Sequence, residues 1–281
     1  CTAVMGAEGD NYLWIRENNK KIEFNTIITT DNDGNVGNWN EKNPYANAGN
    51  TWIDNTYTNN MTLSSSEANG NDGYGDISYG LRLSGDLTDV NFINNDSITG
   101  EISDSSIDYG PGYGIYNEST KMGNIENTGV ISGSGSGGNN AYSYGIFNAS
   151  SKKIGNIENT GVINGSNNGQ NSSGFGIVNN NSAEMGNITN TGVISGFGSG
   201  GGSTYAFGIF NDNSNSSGDG KIGNITNTGI ISGSAAGIYN NNSDSSNDGK
   251  TGNITNTGVI YGKTNAIKND NGTIGTVDNY G

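Results

Sequence analysis

A twelve-residue phrase recurs five times in this chain, and the recurrence limits what it can fold into. It reads MGNIENTGVISG at Met122–Gly133, IGNIENTGVING at Ile154–Gly165, MGNITNTGVISG at Met185–Gly196, IGNITNTGIISG at Ile222–Gly233 and TGNITNTGVIYG at Thr251–Gly262. A second phrase alternates with it: YGIYN around Ile115, YGIFN around Ile146, FGIVN around Ile177, FGIFN around Ile209 and AGIYN around Ile238. These isoleucines are spaced 31, 31, 32 and 29 residues apart. A fixed period of this size marks a solenoid, in which each copy stacks on the last because it cannot bury its own apolar face. Length varies only in the Gly, Ser and Asn stretches between phrases, which read as loops.

Inside NIENTGVISG the residues alternate strictly. Ile125, Asn127, Gly129, Ile131 and Gly133 share one face, and Glu126, Thr128, Val130 and Ser132 share the other. Period two is a strand signal, and the phrase runs in the same direction in every copy. Equivalent strands one repeat apart then pair in parallel, about 4.8 Å from turn to turn. The expected fold is all-β: a right-handed parallel β-helix, a solenoid of about 29–32 residues per coil. Its inward columns are Ile125/Ile157/Ile188/Ile225/Ile254, Ile131/Ile163/Ile194/Ile231/Ile260 and Ile115/Ile146/Ile177/Ile209/Ile238. Asn127, Asn159, Asn190, Asn227 and Asn256 also fall on the inward parity, where a lone amide is costly. A stacked structural ladder of side-chain hydrogen bonds resolves that cost, and Asn117, Asn148, Asn179, Asn211 and Asn240 predict a second.

The first 78 residues lack the repeat and hold all three tryptophans, Trp14, Trp39 and Trp52. They read as a β-rich N-terminal capping region over 1–78, followed by β-helix repeats over 79–281. The segment Ile274–Gly281 matches the start of another rung. It predicts that the repeats continue beyond this fragment, or that an open edge allows self-association into a filament.

Composition narrows the chemistry. With 48 glycines and 30% hydrophobic residues, only a repeat whose strands each need a few inward side chains can build a core. A net charge of -15, with Arg16 and Arg82 as the only arginines, argues against nucleic acid as a partner. No apolar run is long enough to span a bilayer as a helix. Histidine is absent, which removes the commonest general base and zinc ligand. The acidic pairs Asp86/Asp89 and Asp104/Asp108 have spacing alone in their favour. The loop TTDNDGNVGN at Thr29–Asn38 fits part of a calcium loop, but Thr29 and Asn40 stand where the strongest acidic ligands belong. No cofactor, metal site or catalytic residue is expected, and the chain is read as non-enzymatic.

The alternation GIxN followed by IGNIxNTGxIxG resembles the passenger repeats of bacterial type V autotransporters, over about residues 79–281. That resemblance implies a right-handed β-helix displayed at the outer membrane surface or secreted. It leaves activity open, since such passengers include adhesins, proteases and toxins. Cys1, followed by TAVMG, resembles the acylated cysteine of a bacterial lipoprotein; the alternative is a fragment numbered from that point.

Outward residues carry the expected binding signal. Tyr116, Phe147, Val178, Phe210 and Tyr239 follow the GI pairs and predict an exposed stripe, the candidate binding face. The competing reading is a self-supporting stack. A Thr column, Thr128/Thr160/Thr191/Thr228/Thr257, is a solvated strand face or an ice-ordering array. The function expected is a cell-surface adhesin or display scaffold for an extracellular protein or glycan receptor. Alternatives are a polysaccharide lyase or hydrolase on a β-helix, and a structural filament or ice-binding solenoid.

Overall fold

The computed structural model describes residues 13–25, 50–65, 70–71, 76–102, 110–135, 141–169, 171–199, 205–214, 220–242 and 249–281. Four strands make one turn, and the turn that begins at Gly112 shows the plan. Gly112–Asn117 is followed by the two-residue strand Lys121–Met122, then Ile125–Asn127, then Val130–Gly135. Corresponding strands of successive turns pair in parallel and in register, so Ile115 lies opposite Ile146, Ile125 opposite Ile157 and Ile131 opposite Ile163. Five such turns run from Gly112 to Gly262, after a less regular turn over Asp76–Ile102 and before a partial one over Asn265–Asn279. The described residues form a parallel β-solenoid with no helix.

The described residues between 13 and 65 extend the same sheets. Leu13–Asn18 pairs in parallel with Asp76–Ser84, Thr56–Asn59 with Asn91–Asn94, and Leu63–Ser65 with Ser97–Ile102. Antiparallel pairing among the described residues occurs only at this end: Leu13–Asn18 with Lys21–Asn25, Thr51–Ile53 with Thr56–Asn59, and Gly70–Asn71 with the start of Asp76–Ser84. At this end the Ile125 column becomes aromatic: Phe92 lies opposite Ile125 and stacks on Tyr57, which stacks on Phe24. Larger rings fill the space that isoleucines fill further along. Strand Asp76–Ser84 spans the boundary drawn at residue 78.

The three isoleucine columns are the core, and each is essentially without solvent contact until Ile260, which is half-buried in the last full turn. Burial of one such side chain contributes about 1.5–3 kcal/mol. Beside them runs an unbroken amide ladder. Asn59 Nδ2 donates to Asn94 Oδ1, and the relay continues through Asn127, Asn159, Asn190, Asn227 and Asn256 to Asn279, with donor–acceptor distances from 2.9 to 2.6 Å. Each amide also donates to the carbonyl two residues ahead, as Asn159 does to Gly161, which holds the bend that follows. A second ladder links Asn117, Asn148, Asn179, Asn211, Asn240 and Asn269 at 2.7–2.9 Å.

A third amide series lies at the surface and was not anticipated. Asn124 Oδ1 accepts from the backbone N–H of Asn156, Asn156 from Asn187, and Asn187 from Asn224. Here the side chain replaces a strand partner at the Gly–Asn corner. The two kinds of ladder predict different costs. Asn159→Ala leaves the buried Asn190 oxygen without its donor and opens a small void, lowering stability by about 2–4 kcal/mol. Asn156→Ala, where water replaces the lost acceptor, costs about 1 kcal/mol or less. Urea midpoints of the two variants, measured side by side, check this ordering.

Candidate functional site

The outer surface of the longest sheet is built around a break in alternation. In the strand Tyr142–Asn148, Gly145 and Ile146 are adjacent and both buried, while Tyr144 and Phe147 on either side are half-buried. Two neighbouring residues facing inward bend the strand, so the flanking rings converge on the outside. Their centroids are 4.8 Å apart, whereas residues three apart on a straight strand stand near 10 Å. Only glycine fits at the bend, because a Cβ on Gly145 would lie 2.5 Å from the Gly176 carbonyl oxygen and 2.7 Å from Ile163 Cγ2. The facing sheet makes the matching concession at Gly165, where a Cβ would sit 2.2 Å from the Phe175 carbonyl oxygen. The solenoid is thin here, backbone against backbone.

Stacking turns converts the bend into two aromatic columns. One holds Tyr79, Tyr113, Tyr144, Phe175 and Phe207, with successive centroids 5.0–5.8 Å apart. The other holds Tyr116, Phe147, Val178, Phe210 and Tyr239, in consecutive register. Edge contacts such as Tyr113–Phe147 and Phe207–Tyr239 join them. The expectation of an exposed stripe needs correction. Val178 and Tyr239 are buried, at 3% and 8% exposure, and Tyr116, Phe147 and Phe210 are half-buried. The rings of the first column cover them, because the bend turns both columns to the same side. What remains open lies at the edge: Tyr142 and Tyr205 are 43% and 59% exposed.

Cations close both ends of this zone. The Arg82 guanidinium lies 4.5 Å from the Trp14 ring centre and 5.4 Å from that of Tyr79, and it pairs with Glu118. The Lys268 ammonium lies 4.4 Å from the Tyr239 ring centre and pairs with Asp270, which also accepts a 2.8 Å hydrogen bond from the Tyr239 hydroxyl. The Lys268 bond, then that of Tyr239, holds the Asp270 carboxyl below its usual range. Burial, reinforced by the bond to Asp270, pushes the Tyr239 phenol up to about 12. Burial also pushes the Tyr144 phenol far above its ordinary value.

A second concave feature lies on another side of the turn and had no counterpart in the sequence reading. An open groove of about 540 Å³ runs along the axis beside the two-residue strands. Lys121, Lys153, Glu184, Lys221 and Lys250 line it in successive turns, and a column of glycines from Gly155 to Gly275 forms its other border. Two-residue strands are too short for a period of two to mark these lysines in the sequence. The available signal was a Lys-Met or Lys-Ile pair ahead of the GN in three of the five phrases, with Glu184-Met185 and Lys250-Thr251 ahead of the other two.

No family model, curated protein or solved structure matches this chain. What the molecule shows is a β-solenoid, and its function has to be argued from its surfaces. The remaining candidates are placed as follows. Thr128, Thr160, Thr191, Thr228 and Thr257 sit at bends after the strands, not on a flat strand face. The Thr128 hydroxyl donates to Asn95 Oδ1 at 2.9 Å, so it is engaged with the preceding turn. Asp86 accepts from the Thr88 amide and hydroxyl, and with Asp89 it borders a hollow that also includes Glu17 and Lys20. Cys1, the Thr29–Asn38 loop and the Asp104/Asp108 pair lie outside the described residues.

Two outcomes follow from the aromatic zone. Replacing Phe147 and Phe210 together with Ser removes rings packed against Tyr113, Tyr144, Phe175 and Phe207, and lowers stability by about 2–4 kcal/mol in thermal or urea melts. Alkali acts through Tyr239. Its folded pKa, about 12, exceeds the ordinary 10, so the unfolded chain releases that proton first. Its contribution is complete below pH 10 and is lost as pH rises toward 12. Tyr239→Phe therefore removes one phenolate from the alkaline absorbance titration and makes the fall in Tm over that window shallower.

Proposed function

We propose that the chain is a non-catalytic adhesin or display scaffold of the autotransporter-passenger kind, working at a bacterial cell surface or after secretion. One observation carries the reading. Residues facing inward are nearly the same in every turn, while outward rows are constant in some places, as at Thr128, and change along the solenoid in others. Ile125, Ile157, Ile188, Ile225 and Ile254 are constant, whereas the next position, facing out, is Glu126, Glu158, Thr189, Thr226 and Thr255. A scaffold whose core does not depend on the rows that vary leaves those rows free for recognition. About six turns at ~4.8 Å give a rod of roughly 30 Å, and added turns extend it without altering the core. Recognition and reach are what such a rod offers.

Beads coated with the purified chain test the reading. They are expected to adhere to bacterial or host cells above the level of beads coated with an inert protein of similar charge. The same preparation is expected to leave pectin, chitin and peptidoglycan-type glycans intact. Release of new reducing or unsaturated ends from any of these would replace the adhesin with a lyase or hydrolase. Absence of adhesion to every cell type tried would remove the adhesive function.

A further inference from the structure

The lysine-lined groove carries a more specific assignment. Lys153 and Glu184, Glu184 and Lys221, and Lys221 and Lys250 are direct neighbours in the parallel ladder, with Lys121 on the turn before. Four of the chain's twelve basic residues thus share one line, in a molecule whose net charge is -15. Chance placement on so acidic a chain gives no reason for this concentration. Ion pairing along the ladder accounts for part of it, since Lys121 lies opposite Asp86 and Glu184 lies between Lys153 and Lys221, but it leaves Lys221 and Lys250 as like charges side by side, an arrangement that lowers stability. Lys153 is paired with Glu184 at 2.9 Å, but both side chains are over two-fifths exposed, and such a pair is weak enough to exchange partners.

The geometry sets the ligand's shape. Basic side chains recur about every 4.8 Å along the axis, so an anion that satisfies one turn must repeat to satisfy the next. The groove is open at the surface and spans five turns, which admits a linear chain lying lengthwise. Between the lysines and a glycine border that runs from Gly155 to Gly275 lie Met122, Ile154, Met185 and Ile222, an apolar strip that suits the C–H face of a sugar ring. Glu184, midway along, repels an anion but accepts hydrogen bonds from hydroxyl groups. Among the described residues no aromatic side chain lines the groove, so none of them stacks on a nucleobase there. A polymer that alternates carboxylates with hydroxyl-bearing rings, and advances about one turn per sugar, fits every one of these features.

We infer that this groove binds a linear acidic glycan of the polyuronate type, extended parallel to the solenoid axis, with Lys121, Lys153, Lys221 and Lys250 meeting its carboxylates. The inference rests on the recognition role proposed above and names the class of ligand. Lysine, a point charge on a flexible stem, suits a ligand whose carboxylates need not hold one fixed angle. Binding through several exposed charges falls steeply as salt rises.

Calorimetry with polygalacturonate at low salt tests it, using the intact chain. Saturable binding is expected, weakened by added salt and absent with neutral dextran. The triple variant Lys121→Gln, Lys221→Gln, Lys250→Gln should bind roughly tenfold or more weakly, since each lost charge removes one ionic contact. A control triple, Lys20→Gln, Lys21→Gln, Lys263→Gln, removes the same charge away from the groove and should bind nearly as the parent does. Matching melting curves for the two triples establish that both are folded. No binding of polygalacturonate, or equal weakening by both triples, would overturn the inference. Single-stranded DNA bound as tightly as the glycan would replace the glycan assignment with a general polyanion site. Bead adhesion by the groove triple separates the two proposals. Beads that adhere normally while no glycan binds retain the adhesin and discard the groove. Groove-dependent glycan binding without any adhesion does the opposite.

Discussion

The buried asparagine ladder is the interaction on which the rest of this molecule depends. A primary amide carries two donors and an acceptor with two lone pairs, and leaving them unmatched inside a protein costs several kcal/mol. Here the match is found only in the next copy of the same residue. Asn127 needs Asn159, which needs Asn190, and a turn shifted by one residue would bring glutamate or threonine to that place. Apolar columns alone tolerate slippage, because one isoleucine is much like another. The amide relay removes that freedom and sets the register of every strand beside it.

A thin cross-section follows from the same economy of side chains. Each turn has few inward apolar residues, so the facing sheets must approach closely, and glycine is what permits it at Gly145 and Gly165. The resulting bend opens a re-entrant strip on the outer surface, which the molecule fills with aromatic rings. The protein therefore has two apolar zones, an isoleucine interior and a tyrosine–phenylalanine exterior. Arg82 and Lys268 terminate the exterior zone with charge placed over rings, where a bare edge would otherwise meet water.

Periodicity also shapes what the surface can recognise. Equivalent outward positions stack about every 4.8 Å, so a charge or a ring kept from turn to turn becomes a row. Rows suit extended, repeating ligands better than compact ones. Of the two rows considered as binding faces, the aromatic one is largely occupied by its own neighbours, while the lysine one borders open space. The stripe at Tyr116, Phe147, Val178, Phe210 and Tyr239 was legible as a column because its residues are bulky and follow a constant GI. Its degree of burial was not legible, because the rings that cover it precede the same GI by one position. Counting by twos from Ile115 puts Tyr113 inside the solenoid. The double inward step at Gly114–Ile115 puts it outside, 4.9 Å from Tyr116.

The amino-acid sequence by itself determined the class of fold, the period, the parallel direction, the three isoleucine columns and the positions of two amide columns. It could do so because identical residues at a fixed spacing have one low-cost arrangement, each stacked on its copy. Tertiary structure decided the rest. It placed the two-residue lysine strands on a concave border and turned Asn124, Asn156 and Asn187 into backbone partners at a corner. It also let the strands Leu13–Asn18, Thr56–Asn59 and Leu63–Ser65 join the same sheets. These features depend on how far the chain bends between strands. Bend angles arise from contacts across the solenoid, such as Gly165 against the Phe175 carbonyl, between residues that no local pattern connects.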